Sequence, residues 1–318
     1  MTRAIATLFC VSAILAGCSD EPPAATGAGG SGGGTSVSTG GTGGGSGGGC
    51  MDGEASPNSV CITSVEGRFV DEQDQGVLVP LVSVCGPIQC NPGEGETDGS
   101  WVVPVGYQIL PADYAAQAHA RELGKATFYY RLPSDAPGPT VDMGDLRLLQ
   151  MPNDGPSLIV DTDMMGAPAQ SVTNHGVTLD IDAGVAVNLG FDDAFLGEEG
   201  KKFQALKVPD RFHAAYIDPS LNAAMLYAFY PFESGFRLES DTSQYTEVRL
   251  TFPNDPGWAP GTPVEFLALG TYIFPEWLTP ATFEVVATGI VSNDGMTIET
   301  TPGEGFRHLT WVAVRETL

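Results

Sequence analysis

Leu179-Asp180-Ile181-Asp182-Ala183-Gly184-Val185-Ala186-Val187-Asn188-Leu189 alternates with a period of two. Side chains of an extended chain point to opposite faces in turn. That places Leu179, Ile181, Ala183, Val185, Val187 and Leu189 on one face and Asp180, Asp182 and Asn188 on the other. The stretch therefore predicts a strand with one buried and one wet face. The same period recurs at Val248, Leu250 and Phe252 against Glu247, Arg249 and Thr251. Apolar runs at 223–230, 264–269, 283–287, 297–300 and 309–314 predict further strands. Asn254-Asp255-Pro256-Gly257, Asn293-Asp294-Gly295 and Pro302-Gly303 supply the turns between them. Residues 151–318 are thus expected to form an all-β domain.

Upstream, 62–70 also alternates, and Asp71-Glu72-Gln73-Asp74-Gln75-Gly76 is turn chemistry before a second apolar run at 77–85. Thr97-Asp98-Gly99 feeds Ser100-Trp101-Val102-Val103, and strands are expected at 126–132 and 141–149. Short strands at this spacing suggest a second β-sandwich, over 60–150. Within it 114–120 reads as a strand. His119 stands alone there and reads as structural.

The chain has 318 residues and a formal net charge of −25, with 42% hydrophobic and 17% charged residues. Such acidity repels phosphate backbones and anionic headgroups, which argues against nucleic-acid partners. The apolar fraction is high enough to bury a core, so acidity here does not signal disorder.

At the N-terminus, Arg3 precedes an apolar run over 4–15 and then Leu15-Ala16-Gly17-Cys18. The run fits a signal h-region and is too short to span a bilayer. The four residues resemble the lipobox of bacterial lipoproteins. The resemblance implies a signal peptide at 1–17, cleavage before Cys18, and a lipid on that thiol that holds the protein at the membrane. Ser19 after Cys18 is compatible with outer-membrane sorting. A linker at 18–59 follows, with 14 glycines between Gly27 and Gly49. It has no apolar surface to offset chain entropy and is expected to be a disordered tether. The 31 residues between Cys18 and Cys50 would span roughly 30 Å as a flexible coil.

Four cysteines remain, Cys50, Cys61, Cys85 and Cys90, an even number that suggests two disulfides in an exported protein. The local pairings Cys50–Cys61 and Cys85–Cys90 are favoured among the three connectivities because each closes a short loop.

Further residues carry a family resemblance. Gly67-x-x-x-Asp71, Gly76, Val82-x-Val84, Thr97-Asp98-Gly99-Ser100-Trp101 and Val141-Asp142-Met143-Gly144-Asp145-Leu146 resemble the carboxypeptidase regulatory-like domain. The resemblance implies a transthyretin-like sandwich that is an accessory module, with no catalytic residues to carry over. Pro80-Leu81 and the Cys85–Cys90 loop depart from that pattern. The closing third more distantly resembles β-rich repeats of bacterial surface lipoproteins, which implies a structural or partner-binding role.

Candidate chemistry is sparse. Nine acidic residues and no lysine or arginine lie between Leu148 and Gly200. Asp161 with Asp163, and Asp180 with Asp182, share strand faces and are candidate Ca²⁺ ligands, although no EF-hand loop is present. A solvated acidic face is the plainer reading. Trp258 and Trp277, near turns, are candidate platforms for sugar stacking, with packing the plainer reading. The four histidines match no metalloprotease motif, so a divergent metal-dependent hydrolase is a third reading only. The expectation is an all-β, lipid-anchored envelope protein without cofactor, non-catalytic, and structural, adhesive or partner-binding. A carbohydrate- or calcium-binding module is the alternative, with an envelope protein or polysaccharide as partner.

Overall fold

The computed structural model describes residues 50, 58–136, 138–160 and 166–317. The signal, Cys18, the glycine-rich run, Asp161 and Asp163 lie outside the described residues. The fold is all-β, and among the described residues the strands form three sheets.

The first sheet is built from β1 (Val60–Val70), β2 (Val82–Cys85), β3 (Cys90–Gly95), β4 (Ser100–Ile109), β5 (Ala115–Ala118), β6 (Tyr129–Arg131) and β7 (Thr140–Arg147). Their order is β6-β5-β2-β3-β4-β1-β7. All pairings are antiparallel except β1 with β7. The Thr97-Asp98-Gly99 signal forms the β3–β4 turn. The Asp98 carboxylate accepts from the Ser100 amide at 3.0 Å, and Gly99 takes a φ of 87° that a side chain would oppose. Cys50 is bonded to Cys61, and Cys85 to Cys90 across the β2–β3 connection. Trp101 is buried and stacks on Phe69 with centroids 5.4 Å apart.

The remaining strands are β8 (Gln170–Asn174), β9 (Val177–Ile181), β10 (Val185–Asn188), β11 (Gln204–Lys207), β12 (Met225–Tyr230), β13 (Ser234–Leu238) and β14 (Asp241–Tyr245). They continue as β15 (Arg249–Pro253), β16 (Pro263–Leu269), β17 (Phe283–Val291), β18 (Thr297–Thr300), β19 (His308–Leu309) and β20 (Val312–Glu316). Nine of them form an antiparallel sheet, β11-β12-β20-β16-β17-β18-β15-β9-β8, while β10, β13, β14 and β19 form a small third sheet.

The alternating stretch 179–189 is not one strand. β9 ends at Ile181, the chain turns through Asp182, Ala183 and Gly184 (φ 80°), and β10 pairs with β13 in the third sheet. Leu179, Ile181, Val185 and Val187 nevertheless line one core, because the two halves cover it from two sheets. Ala183, expected to point inward, is exposed at the corner. The stretch 114–120 is also divided. β5 occupies its middle, and a 3-10 turn, Arg121–Leu123, follows and closes on Gly124 at φ 66°.

The central strands of the nine-stranded sheet are buried on both faces. In β12, Met225, Tyr227 and Phe229 join the core shared with the third sheet. Leu226, Ala228 and Tyr230 join the core beneath the first sheet. Such doubly buried strands read as continuous apolar runs, as this one does. The first sheet is also tied to the nine-stranded sheet by polar groups: Trp311 Nε1 donates to the Thr127 carbonyl at 2.6 Å, and the Tyr230 hydroxyl meets the Thr127 hydroxyl at 3.0 Å.

Candidate functional site

The polar groups that converge lie where one end of β2 and β5 in the first sheet meets the turn after β10. That turn is a single helical turn, α1 (Phe191–Ala194). Gly190 precedes it, packed so closely on the Phe232 carbonyl that a Cβ would collide.

Ser83, central in β2, stands directly opposite Gln117 of β5, which in turn stands opposite Tyr129 of β6. Directly paired residues of antiparallel strands project to the same face. His119 follows β5 two residues after Gln117, and its amide extends the ladder to the Leu81 carbonyl at 3.0 Å. The Ser83 Oγ lies 2.9 Å from His119 Nε2, and His119 Nδ1 lies 3.0 and 3.1 Å from the two carboxylate oxygens of Asp192 in α1. A carboxylate only accepts, so Nδ1 carries a proton, and the tautomer with its proton on Nδ1 leaves Nε2 to accept from the Ser83 hydroxyl. The order is hydroxyl, imidazole, carboxylate.

Two buried acids support this chain. Asp193, wholly buried, accepts from Arg121 Nε at 2.6 Å and from the Phe232 amide at 2.9 Å. The Arg121 guanidinium also donates to the Glu199 carbonyl at 2.7 Å and covers the Tyr230 ring at 4.0 Å. Burial outweighs Arg121 and pushes the Asp193 carboxyl up to about 6. Glu233, 5% exposed, accepts from the Tyr129 hydroxyl at 2.5 Å and is pushed up to about 7, chiefly by burial. Glu233 also holds a φ of 60°, which is costly for a residue with a Cβ. A strained, buried acid with a shifted pKa is a frequent mark of a functional site.

Beside the chain opens a cleft of about 260 Å³. Pro80, Leu81, Leu123, Phe191 and Phe195 form its apolar wall, with His119 and Asp192 at its polar side. Phe191 and Phe195 are 64% and 76% exposed and meet edge to face at 5.1 Å.

The other predicted positions fall elsewhere. Asp180 and Asp182 line a separate cleft with Glu247, Arg249 and Glu304. Arg249 pairs across from Asp180 and lies 3.5 Å from Asp182, so the carboxylates there share a cation. Among the described residues, no set of three or more His, Cys, Asp or Glu is gathered as a metal ion requires. Trp258 is held in its turn by Asn254, whose side chain bonds the Trp258 amide and carbonyl at 3.1 and 2.8 Å. Trp277 is half-buried, 5.0 Å from His308, within a group that includes Tyr245 and Phe274. His175 pairs with Asp154 at the surface, and His213 bonds the Val208 carbonyl.

Sequence reasoning missed Ser83, Gln117, Asp192 and Glu233 as a group and read His119 as structural. Ser83 and Asp192 stand 36 and 73 residues from His119, with no shared local motif. The one available signal was the Phe191-Asp192-Asp193-Ala194-Phe195 run, which puts two aromatics around a pair of acids in a turn.

No protein-family model matches the chain, and no curated protein matches it. Among solved structures, the chain is similar to "a putative carbohydrate binding protein" from Bacteroides uniformis at 7% identity and a TM-score of 0.18, over 81% of this chain and 80% of that one. At that score the likeness carries no argument about fold or ligand.

Proposed function

We propose that this is a lipid-anchored envelope protein that binds a neutral carbohydrate in the cleft beside His119. The observation that carries this reading is the pair Phe191 and Phe195, two largely exposed rings beside the His119–Asp192 pair. Exposed aromatic faces pack against the C–H faces of sugars, while adjacent polar groups fix hydroxyl orientation. The cleft's volume, about 260 Å³, is on the scale of one or two sugar units. The net charge of −25 favours neutral over anionic glycans. Cys18 supplies the attachment, and the glycine-rich linker the reach.

Titration calorimetry of the mature protein against neutral glucan, mannan, galactan and xylan oligosaccharides tests the ligand. Two stacked rings at about 0.5–1.5 kcal/mol each predict a 5- to 150-fold loss of affinity for Phe191→Ala/Phe195→Ala. Trp277→Ala is expected to bind as the parent does. Absence of heat with all four glycans, or equal affinity after loss of both phenylalanines, would overturn the reading.

The anchor has its own test. Mass spectrometry of the native N-terminus is expected to find a diacylglyceryl-modified Cys18, and Cys18→Ser is expected to release the protein from membranes. An unmodified terminus, or membrane retention of Cys18→Ser, counts against attachment.

A further inference from the structure

We propose that Ser83 is an acyl-transfer nucleophile, with His119 as its general base and Asp192 as the residue that positions the imidazole. The cleft would then hydrolyse a small neutral ester. This goes beyond sugar binding and does not depend on the ligand being a sugar, although both readings use the same cleft.

Three observations carry it. First, the hydrogen bonds run in the order such chemistry needs: Ser83 Oγ to His119 Nε2 at 2.9 Å, and His119 Nδ1 to Asp192 at 3.0 Å. A hydroxyl is a weak nucleophile unless a base within about 2.6–3.2 Å takes its proton, and a third group must fix the base's tautomer and direction. Second, a donor for the developing oxyanion is at hand. Gln117 stands directly opposite Ser83 on the same face and is 5% exposed, which places a side-chain amide beside the hydroxyl. A glutamine amide is one of the groups that serve as oxyanion donors. Third, a cleft adjoins the hydrogen-bonded chain: His119, the partner of Ser83, lines it together with Asp192 and with Leu81, two residues before Ser83, and its apolar wall suits an acyl group.

In the first half-reaction the Ser83 Oγ–carbonyl carbon bond forms as the Oγ proton passes to His119 Nε2. The carbon–alkoxy bond then breaks, and the alcohol leaves with that proton. In the second, water adds to the acyl carbon and gives a proton to His119 Nε2. The Oγ–carbon bond breaks as Oγ regains that proton, and the carboxylic acid is released. Water is the only co-reactant.

The test uses the mature protein with p-nitrophenyl acetate and a fluorophosphonate probe at pH 8. Fluorophosphonate is expected to label the tryptic peptide that carries Ser83, and labelling needs no variant. Ser83→Ala should retain the parent's circular dichroism while ester turnover falls at least 10³-fold. Asp192→Asn should lower turnover by about 10⁴-fold through the wrong imidazole tautomer, a loss that a merely structural hydroxyl contact would not give. Unlabelled Ser83 in the folded protein, or turnover that survives Ser83→Ala, overturns the proposal and leaves glycan binding standing. Labelling of Ser83 in a protein that binds none of the glycans overturns the sugar reading instead.

Discussion

Acidification is expected to destabilise the protein through one histidine. His308 is 1% exposed and stacks on Phe274 at 3.6 Å between centroids, with Tyr245 and Trp277 also against it. Among the described residues neither ring nitrogen has a hydrogen-bond partner. Burial, with Arg237 and Arg307 nearby, lowers its pKa from 6.5 to about 3. Between those values the unfolded chain holds a proton there and the folded chain does not, so stability falls as pH is lowered through that window. The full shift corresponds to about 5 kcal/mol, of which about 3 kcal/mol is reached at pH 4. Asp193 and Glu233 act in the opposite direction. Their folded values, about 6 and about 7, lie above the ordinary 3.8 and 4.5. The folded state therefore holds the extra proton, and stability rises as pH falls from about 7 to about 4. The wild-type profile is a sum of these opposing slopes, so the difference between proteins is the clean measurement. His308→Phe keeps the aromatic stack and removes the titration. Its stability relative to wild type, from urea unfolding at pH 7, 5 and 4, is expected to grow by about 3 kcal/mol as pH falls. Parallel profiles for the two proteins would rule out His308 as the acid-labile group.

His308 also shows where sequence reading stops. The turn signals were legible: Thr97-Asp98-Gly99 and Asn293-Asp294-Gly295 join adjacent antiparallel strands, because a side-chain carboxylate and a positive-φ glycine encode the turn within three residues. The strand period was legible too, and it fixed the all-β class. The sheet to which a strand belongs was not. Residues 179–189 keep one apolar face across a corner, since two sheets enclosing one core demand the same alternation as a single strand. Nor could the apolar run of β12 reveal that its two faces serve different cores. The candidate site was hidden for a related reason. Ser83, His119 and Asp192 each satisfy their local rules as a strand residue, a strand-end residue and a turn acid. Only the approach of α1 to the end of β2 and β5 brings them together.

The firmest part of that packing is Arg121 with Asp193, and its removal is expected to have the largest effect on stability near neutral pH. Each partner is almost wholly enclosed, with side-chain exposures of 6% and 1%. Breaking a buried pair from one side leaves an uncompensated charge and costs about 3–5 kcal/mol. Arg121→Met also forfeits the bond to the Glu199 carbonyl and the contact over the Tyr230 ring. The Asp193 carboxyl, already raised to about 6 beside Arg121, should rise further without it and stay protonated above pH 7. A raised acid loses stability as pH climbs through its folded value, so the deficit of Arg121→Met should be larger at pH 8 than at pH 5.5. Asp193→Asn, which retains acceptor capacity for Arg121 and the Phe232 amide, should show less of that pH dependence. A double change to Arg121→Met/Asp193→Leu should recover much of the loss, because replacing both charges with apolar groups removes the desolvation cost along with the pairing. A pH-independent deficit for Arg121→Met would mean that Asp193 is not the group left exposed to the imbalance. Asp192 is the next residue along α1. Loosening Asp193 should therefore weaken the hold of Asp192 on His119 before global unfolding, and ligand affinity or ester turnover should fall in Arg121→Met under conditions where circular dichroism still reports a folded protein.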